Sequence, residues 1–450
     1  MGKIGCISNP IAMIVVFLFV WTLAANGQEQ KLSLQEAMTL ALNHNRAVKI
    51  ANYRLQADRQ KLSGARSDYY AKITNQSSLF HVNDLQRVEI PAGALGTAPG
   101  GGILPSSKVF LPQGEKTFET SGTEIAQPLT QLIKIHDANR VAAADVGISA
   151  AALHATSTNV VFSVRELYYH ILTTQLQCKA AVEEIRASDE DLSESTEQLE
   201  KGALLQAAQL ESRAKAAAAK QTLLAANMLL SDLTTQLDDV LGLPLETKLI
   251  LDPEVDFEVE VPTPEAALQT ALKNNPEVQQ ADSELSKARA AYGAAKAEYI
   301  PNITGFARQS YQNGVSFLDH NFGTFGVAFS YDLFDAGKRR ALVRERSKET
   351  SEAEENAERV KEEVGVQIAK VYNRLKTTQS MIDVAKESLD AFEENSRLVE
   401  NQFKQGTALG SKVDASRAQV LDAQAALLSA RLEYLLARDE LNRILGRSTP

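Results

Sequence analysis

The chain is written twice. The run Ala65-Arg66-Ser67-Asp68-Tyr69-Tyr70-Ala71-Lys72-Ile73-Thr74 returns as Ala295-Lys296-Ala297-Glu298-Tyr299-Ile300-Pro301-Asn302-Ile303-Thr304, 230 positions on. Ala41-Leu42-Asn43-His44-Asn45 matches Ala271-Leu272-Lys273-Asn274-Asn275 at the same offset. Beyond residue 128 the offset is 204: Tyr168 pairs with Tyr372, Thr173-Thr174-Gln175 with Thr377-Thr378-Gln379, Gly202 with Gly406, and Leu241-Gly242 with Leu445-Gly446. The difference of 26 places extra chain in the first copy, between Thr74 and Pro128. A period near 200 is far longer than any solenoid repeat, so each copy is a half-molecule unit. Copy one spans 28–243, copy two spans 263–450, and a linker at 244–262 joins them.

Residues 1–27 read as a secretory signal: Lys3, an apolar run from Ile11 to Ala25, then Ala25-Asn26-Gly27. That run is short of the roughly 20 residues a spanning helix needs, and the alternative is an uncleaved anchor. Cys6 precedes the run, where a lipoprotein cysteine cannot lie, and the mature chain keeps only Cys178, so no intramolecular disulfide is expected. No second apolar stretch of helical spanning length follows. A membrane crossing would therefore have to use strands. The net charge of −10 and the absence of Lys/Arg clusters argue against a nucleic-acid partner.

Between Pro128 and Pro244 there is no proline, and after Pro301 none until Pro450. These stretches are rich in Ala, Leu, Gln, Glu, Lys and Arg, the strongest helix formers. Each has one reversal signal, Gly202 or Gly406, placed where a helix ends in a left-handed glycine. A helix from 128 to 201 would be about 110 Å long, and its twin from 332 to 405 would match it. Helices of that length favour coiled-coil packing in an elongated object. The expected hairpins are 128–242 and 332–446. Shorter helices, Ser33–Asn45 and Thr263–Asn275, open the two copies, each starting on a hydroxyl residue followed by an acid.

Four strands are expected, two per copy: 72–81 and 117–127, then 302–312 and 322–331, within strand pairs at about 72–127 and 302–332. The last alternates most clearly, with Phe325, Val327, Phe329 and Tyr331 on one face and Thr324, Gly326, Ala328 and Ser330 on the other. An apolar face opposite a small or polar one suits a membrane strand with a wet interior, which makes those four residues the candidate lipid-facing set. Tyr69, Tyr70, Tyr299, Tyr331 and Phe334 gather where strands meet helices, as an interfacial belt or as junction packing. The extra residues of copy one fall in a loop at 82–116, whose glycines lack the helix start and Lys-Ser/Thr of a phosphate cradle. It reads as a long surface loop over a pore mouth. In the linker, Pro244, Pro253 and Pro262 flank the alternation Asp256 to Val261, which suggests an extended edge segment.

The order helix, strand, loop, strand, very long helix, turn, helix, stated twice, resembles the TolC-like outer-membrane efflux proteins (outer membrane factors). The most specific pieces are Leu333-Phe334-Asp335-Ala336-Gly337, the run Tyr299 to Ile303, Gln127-Pro128-Leu129 and the two Leu-Gly closures. The resemblance implies a mainly α chain with a small membrane β-barrel. Long antiparallel coiled-coil helices of a homotrimer would form an α-barrel, and four strands per subunit would complete a 12-strand β-barrel. It implies a passive duct in the outer membrane of a Gram-negative bacterium, extending into the periplasm and serving a tripartite efflux or type I secretion system. Partners would be outer-membrane lipid, a periplasmic adaptor (membrane fusion) protein and an inner-membrane transporter. It implies a duct and no particular cargo. The alternative is a soluble periplasmic coiled-coil adaptor or structural protein.

The family entrance lies at the two helical turns, here Gly202 and Gly406. Many members carry aspartates six residues after each glycine and nine after the second; here those positions are Ala208, Lys412 and Ala415. The family tyrosine three before the second glycine is Phe403. Glu211 and Asp414 are nearby acids out of register. This chain therefore departs from the acidic ring and its hydrogen-bonded latch, and three copies of Lys412 would line the entrance with positive charge if it faces inward; otherwise it faces solvent or a neighbouring helix. Leu204, Leu205, Ala408 and Leu409 follow the turn glycines, either as tips that dock a partner's helical hairpin or as internal staples. Catalysis finds no support: the six histidines show no metal-ligand spacing, and the acid-rich segments 183–200 and 349–363 are interleaved with Lys, Arg or Ser as solvated helix faces are. No enzyme activity, cofactor or metal is expected.

Overall fold

In a computed structural model of the chain, described for residues 30–447 apart from Gln86, Gln113, Glu246, Lys248, 254–260 and 315–318, the same order of elements occurs twice. The expected signal segment and most of the expected edge segment at 256–261 lie outside the described residues.

The chain starts with β1 (Gln30–Leu32) and α1 (Leu34–His44). Ser33 caps α1 in a capping box: its hydroxyl accepts the Glu36 N–H at 3.3 Å, and the Glu36 carboxylate accepts the Ser33 N–H at 3.0 Å. Asn45 then caps a second helix, α2 (Arg46–Ser67), which the sequence pattern did not reveal. β2 (Lys72–His81), a small hairpin of β3 (Arg87–Ile90) and β4 (Val109–Pro112), and β5 (Thr117–Pro128) follow. Then come α3 (Leu132–Glu200) and α4 (Gln206–Leu241). After β6 (Leu249–Leu251), copy two runs α5 (Pro264–Asn274), α6 (Pro276–Ala297), β7 (Asn302–Asn313), β8 (Asn321–Ser330), α7 (Lys338–Lys404) and α8 (Gly410–Ile444). With 69 residues, α3 is about 100 Å long.

The helices form a wall one layer thick. α3 packs against α2 and α4 along one side and α6 and α8 along the other, and α7 packs beyond α6 and α8. The order across the wall is thus α2-α3-α6-α7 near the sheet and α4-α3-α8-α7 at the far end. Close approach is built in: a Cβ on Gly147 would lie 2.8 Å from the Ser283 hydroxyl, and one on Gly293 would meet the Asp137 carboxylate at 2.6 Å.

The apolar core lies at the equator, where the short helices brace the long ones. One cluster gathers Met38, Val164, Tyr168, Leu237, Leu241 and Leu435; its counterpart gathers Ala271, Val278, Val364, Ile368, Leu441 and Leu445. The two tyrosines paired by the repeat both reach the chain flanking the copies. The Tyr168 hydroxyl donates to Leu32 O at 3.0 Å and Asp252 O at 2.7 Å, and the Tyr372 hydroxyl donates to Pro262 O. The Tyr168 bonds secure β1, which pairs in parallel with β6 of the linker. Burial pushes the Tyr168 hydroxyl up to about 12.

The repeat register is closed by one further contact in each copy. Asn45 caps α2 through its Oδ1 and donates its Nδ2 to Val240 O at 3.0 Å; Asn275 caps α6 and donates to Ile444 O at 2.8 Å. Each asparagine therefore ties the opening helices to the closing helix of its own copy.

Candidate functional site

The far end of the wall carries two helical turns. Gly202 and Gly406 adopt left-handed φ values of 71° and 73°. Ala203 N–H donates to Gln198 O and Thr407 N–H to Gln402 O, each at 2.9 Å, closing both helices as Schellman motifs. Leu205 and Leu409 stand at the N-caps of α4 and α8 with no side-chain capping bond. They are 79% and 49% exposed and project from the turns. Leu204 and Ala408 are half-buried.

Of the entrance candidates, Phe403, Glu211 and Lys412 are exposed, and Ala208 and Ala415 are half-buried. Lys412 lies on the side of α8 opposite Ser411 and Asp414. Glu211 pairs with Lys215 at 3.0 Å on the outside of α4. Asp414 departs from expectation: it is buried, 3.3 Å from Arg186 Nε and 3.7 Å from Arg417 Nη1, and does not line the tip surface. It belongs to a polar seam between α3 and α8 that sequence reading did not find. There Ser411 donates to Glu194 at 2.8 Å, and Arg417 also binds Glu400 of α7 at 2.9 Å. The residues are four apart on α3 (Arg186, Glu190, Glu194) and three apart on α8 (Ser411, Asp414, Arg417), which puts each set on one helix face.

Glu190 shares a hydrogen bond with the Asp414 carboxyl, and that contact, then burial and the charges of Asp414 and Glu194, hold it above the ordinary carboxylate range against Arg186. A folded value above the unfolded one makes the seam most stable below the unfolded value and weakens it as pH rises through the folded one. Glu190→Gln is therefore expected to raise the thermal midpoint at pH 7 by roughly 1–2 °C and to leave it unchanged near pH 4. A midpoint lowered at pH 7 would contradict this account.

At the other end, β2, β5, β7 and β8 form one antiparallel sheet in that order, so β5–β7 pairing merges the two copies and leaves β2 and β8 as open edges. One face carries the row Ile73–Ile125–Ala307–Phe325 and, nearer the helices, Val327 and the Ile303–Phe329 pair. Phe325, Val327 and Phe329 are 66–88% exposed. Tyr331 is half-buried, its ring 4.8 Å from the Arg339 guanidinium, so the fourth residue of the expected apolar set is packed. Tyr299 lies under the same guanidinium at 5.7 Å. Asp335 fixes that arginine through its Nε at 2.7 Å. Beside them Leu333 and Phe334 are about nine-tenths exposed. Tyr331 is thus junction packing, Tyr299 is half exposed beside it, and Tyr70 and Phe334 project.

The fold has solved counterparts. The Campylobacter jejuni CmeC outer membrane channel aligns with TM-score 0.74 at 16% identity, over 92% of this chain and 86% of that one. The outer membrane protein VceC of Vibrio cholerae aligns with TM-score 0.70 at 15% identity, over 92% and 96%. The Neisseria gonorrhoeae MtrE outer membrane channel, in its open state, aligns with TM-score 0.67 at 15% identity, over 92% and 88%. No curated protein matches the sequence itself. Residues 267–447, from within α5 to the end of α8, match the family model for outer membrane efflux protein. This segment is similar to the outer membrane efflux protein family.

The matched segment holds α7, α8 and both strands of copy two, and hence the exposed apolar strand and one of the two turns. The matching family is described as one of efflux proteins. The opposite face of the sheet mixes polar residues with Phe80, Phe118, Phe306 and Phe322. Its row Thr74–Glu124–Arg308–Thr324 centres on an ion pair, Arg308 Nε to Glu124 at 3.1 Å. This pair bridges the two copies across the β5–β7 ladder, and neither residue was singled out from sequence, because the repeat places Arg308 in a strand whose partner cannot be read from spacing.

Proposed function

We propose that three copies of this chain form an outer-membrane efflux duct. The observation that carries the reading is the four-stranded sheet, with exposed apolar residues on one face, an ion pair across the middle of the other, and both edges unpaired. Open edges and unsatisfied backbone groups are not tolerated in lipid, so the sheet has to be closed by further copies. Twelve strands of three chains make such a barrel, with Phe325, Val327 and Phe329 toward lipid and the Arg308–Glu124 row toward the lumen. From Phe325 to Phe329 the exposed apolar residues of the strand span about 13 Å of extended chain, and Ile73, Ile125 and Ile303 carry the same face across the sheet. The helical walls of three chains would form the periplasmic tunnel, and the exposed leucines at the turns suit docking of a periplasmic adaptor's helical hairpin, which links the duct to an inner-membrane transporter.

Fractionation tests this directly. Expressed with its first 27 residues, the chain should be recovered from the outer membrane with detergent, as a complex of three copies by light scattering. Recovery in the soluble periplasm would replace the duct with a periplasmic coiled-coil protein. The entrance reading has its own test. With Lys412 lining the tip, Lys412→Asp reverses three charges and shifts bilayer reversal potentials toward cation selectivity; unchanged selectivity would place Lys412 outside the pore.

A further inference from the structure

The 26 extra residues of copy one do not lie as a loose loop. β2 and β5 pair up to His81 and Thr117, Val82 N–H donates to Lys116 O at 2.8 Å, and the same hairpin then resumes as β3 and β4, with Arg87 opposite Pro112 and Ile90 opposite Val109. Beyond it, residues 91–108 fold into a cap closed by backbone bonds such as Leu95 N–H to Leu104 O at 3.0 Å. The hairpin of β7 and β8 ends at Asn313 and Asn321, level with Glu119 and Ser77. The arm thus rises up to about 30 Å above the rest of its own sheet.

Its two faces differ. Val88, Ile90, Val109 and Leu111 share one face by their register, and Val88 and Leu111 are 45% and 37% exposed. The other face carries Arg87, Glu89 and Phe110, with Glu89 paired to Lys108 at 2.5 Å. A lone two-stranded hairpin is marginal in water without packing on its apolar face. Acyl chains are out of reach. Below the arm the outward face of the sheet is mostly polar, Leu79 excepted, with Asn75 donating to Thr123 at 2.9 Å and Ser77 and Ser121 hydroxyls 2.9 Å apart. Among the described residues, the backbone bond between the base of the arm and the neighbouring hairpin is that of Glu115 N–H with Gly314 O at 2.8 Å. The arm does, however, grow from β2, the open edge at which the next copy joins.

We infer that the apolar face of the arm is covered by a neighbouring copy of this chain, so that three arms form a collar around the outer mouth. The inference rests on the trimeric reading given above. Its test is photocrosslinking in native outer membranes with p-benzoylphenylalanine at position 88 or, separately, 111, and with position 89 on the opposite face as control. Oligomeric mass is measured on the same preparations. The expected result is a covalent adduct between two copies of this chain from positions 88 and 111, at least fivefold more abundant than from 89. Three-copy complexes that yield lipid A adducts, adducts to another protein, or none at both positions would overturn the collar and leave the duct standing. A monomeric wild-type chain would instead overturn the trimeric reading.

Discussion

Asp439→Ala is expected to destabilise the folded chain by about 3–5 kcal/mol, among the largest losses available to a single side chain here. The Asp439 side chain is 1% exposed on α8 and sits between two guanidinium groups, Arg165 Nη1 of α3 at 2.7 Å and Arg438 Nη2 at 2.8 Å. Both arginine side chains are themselves largely buried, at 14% and 13% exposure. The Tyr169 hydroxyl approaches the second carboxylate oxygen at 3.5 Å, and burial followed by the Asp439 charge pushes its ionisation well up, so it remains neutral. Removing the carboxylate leaves two buried positive charges facing each other at the centre of the α3–α8 contact. Asp439→Asn retains the shape and loses the charge, and should fall between wild type and Ala. Urea or thermal unfolding in detergent measures the difference. A loss below about 1 kcal/mol for Ala would mean that solvent already screens the cluster. The repeat has no second copy of this site: 204 positions away stand Ala369 and Thr235.

Gly446→Ala should cost about 2–5 kcal/mol, and Gly406→Ala only about 1–2 kcal/mol, although both glycines end helices with nearly the same φ, 66° and 73°. The difference is what surrounds them. A Cβ on Gly446 would lie 2.8 Å from the Asn274 carbonyl carbon and closer still to its oxygen, whereas one on Gly406 meets nothing within 4 Å. Gly242, the equivalent of Gly446 in copy one, has its Cβ position 3.0 Å from His44 O, and its substitution should fall between the two. These carbonyls end α1 and α5, the short helices that Asn45 and Asn275 tie to the closing helices. The Leu-Gly closures are therefore sites where two backbones touch, and the turn glycines are sites of backbone conformation alone. Equal losses for Gly446→Ala and Gly406→Ala would refute this distinction. Circular dichroism melts of the detergent-solubilised variants suffice to decide it.

Much of this architecture is legible along the chain. Two proline-free stretches of strong helix formers, each with one glycine where a left-handed cap belongs, announce two helical hairpins. The change of repeat offset from 230 to 204 confines the insertion to a single connection. Alternation in 322–331 identifies the exposed apolar strand, and Phe325, Val327 and Phe329 occupy that face. Tyr331 shows where alternation stops being informative, because the same parity continues into a junction where Arg339 covers the ring. α2 and α6 escaped the reading for a related reason. Their starts, Asn45 and Asn275, look like ends of the helices before them, and the asparagine caps the next helix only because its Nδ2 finds Val240 O or Ile444 O nearly two hundred residues away.

What the sequence determined by itself was local: helix-forming composition, strand alternation, left-handed glycines, and the duplication that sets all of them in register. These follow from backbone sterics and from contacts within a few residues, so they are written in order along the chain. Only the tertiary structure decided which faces meet. It buried Asp414 under Arg186 and Arg417, joined the two copies through β5 and β7, set Asp439 between two arginines, and stood the extra residues up as an arm. Those outcomes depend on pairings between residues far apart in the chain, where burial and the need to satisfy each buried charge and backbone group select one partner among many that spacing alone leaves equal.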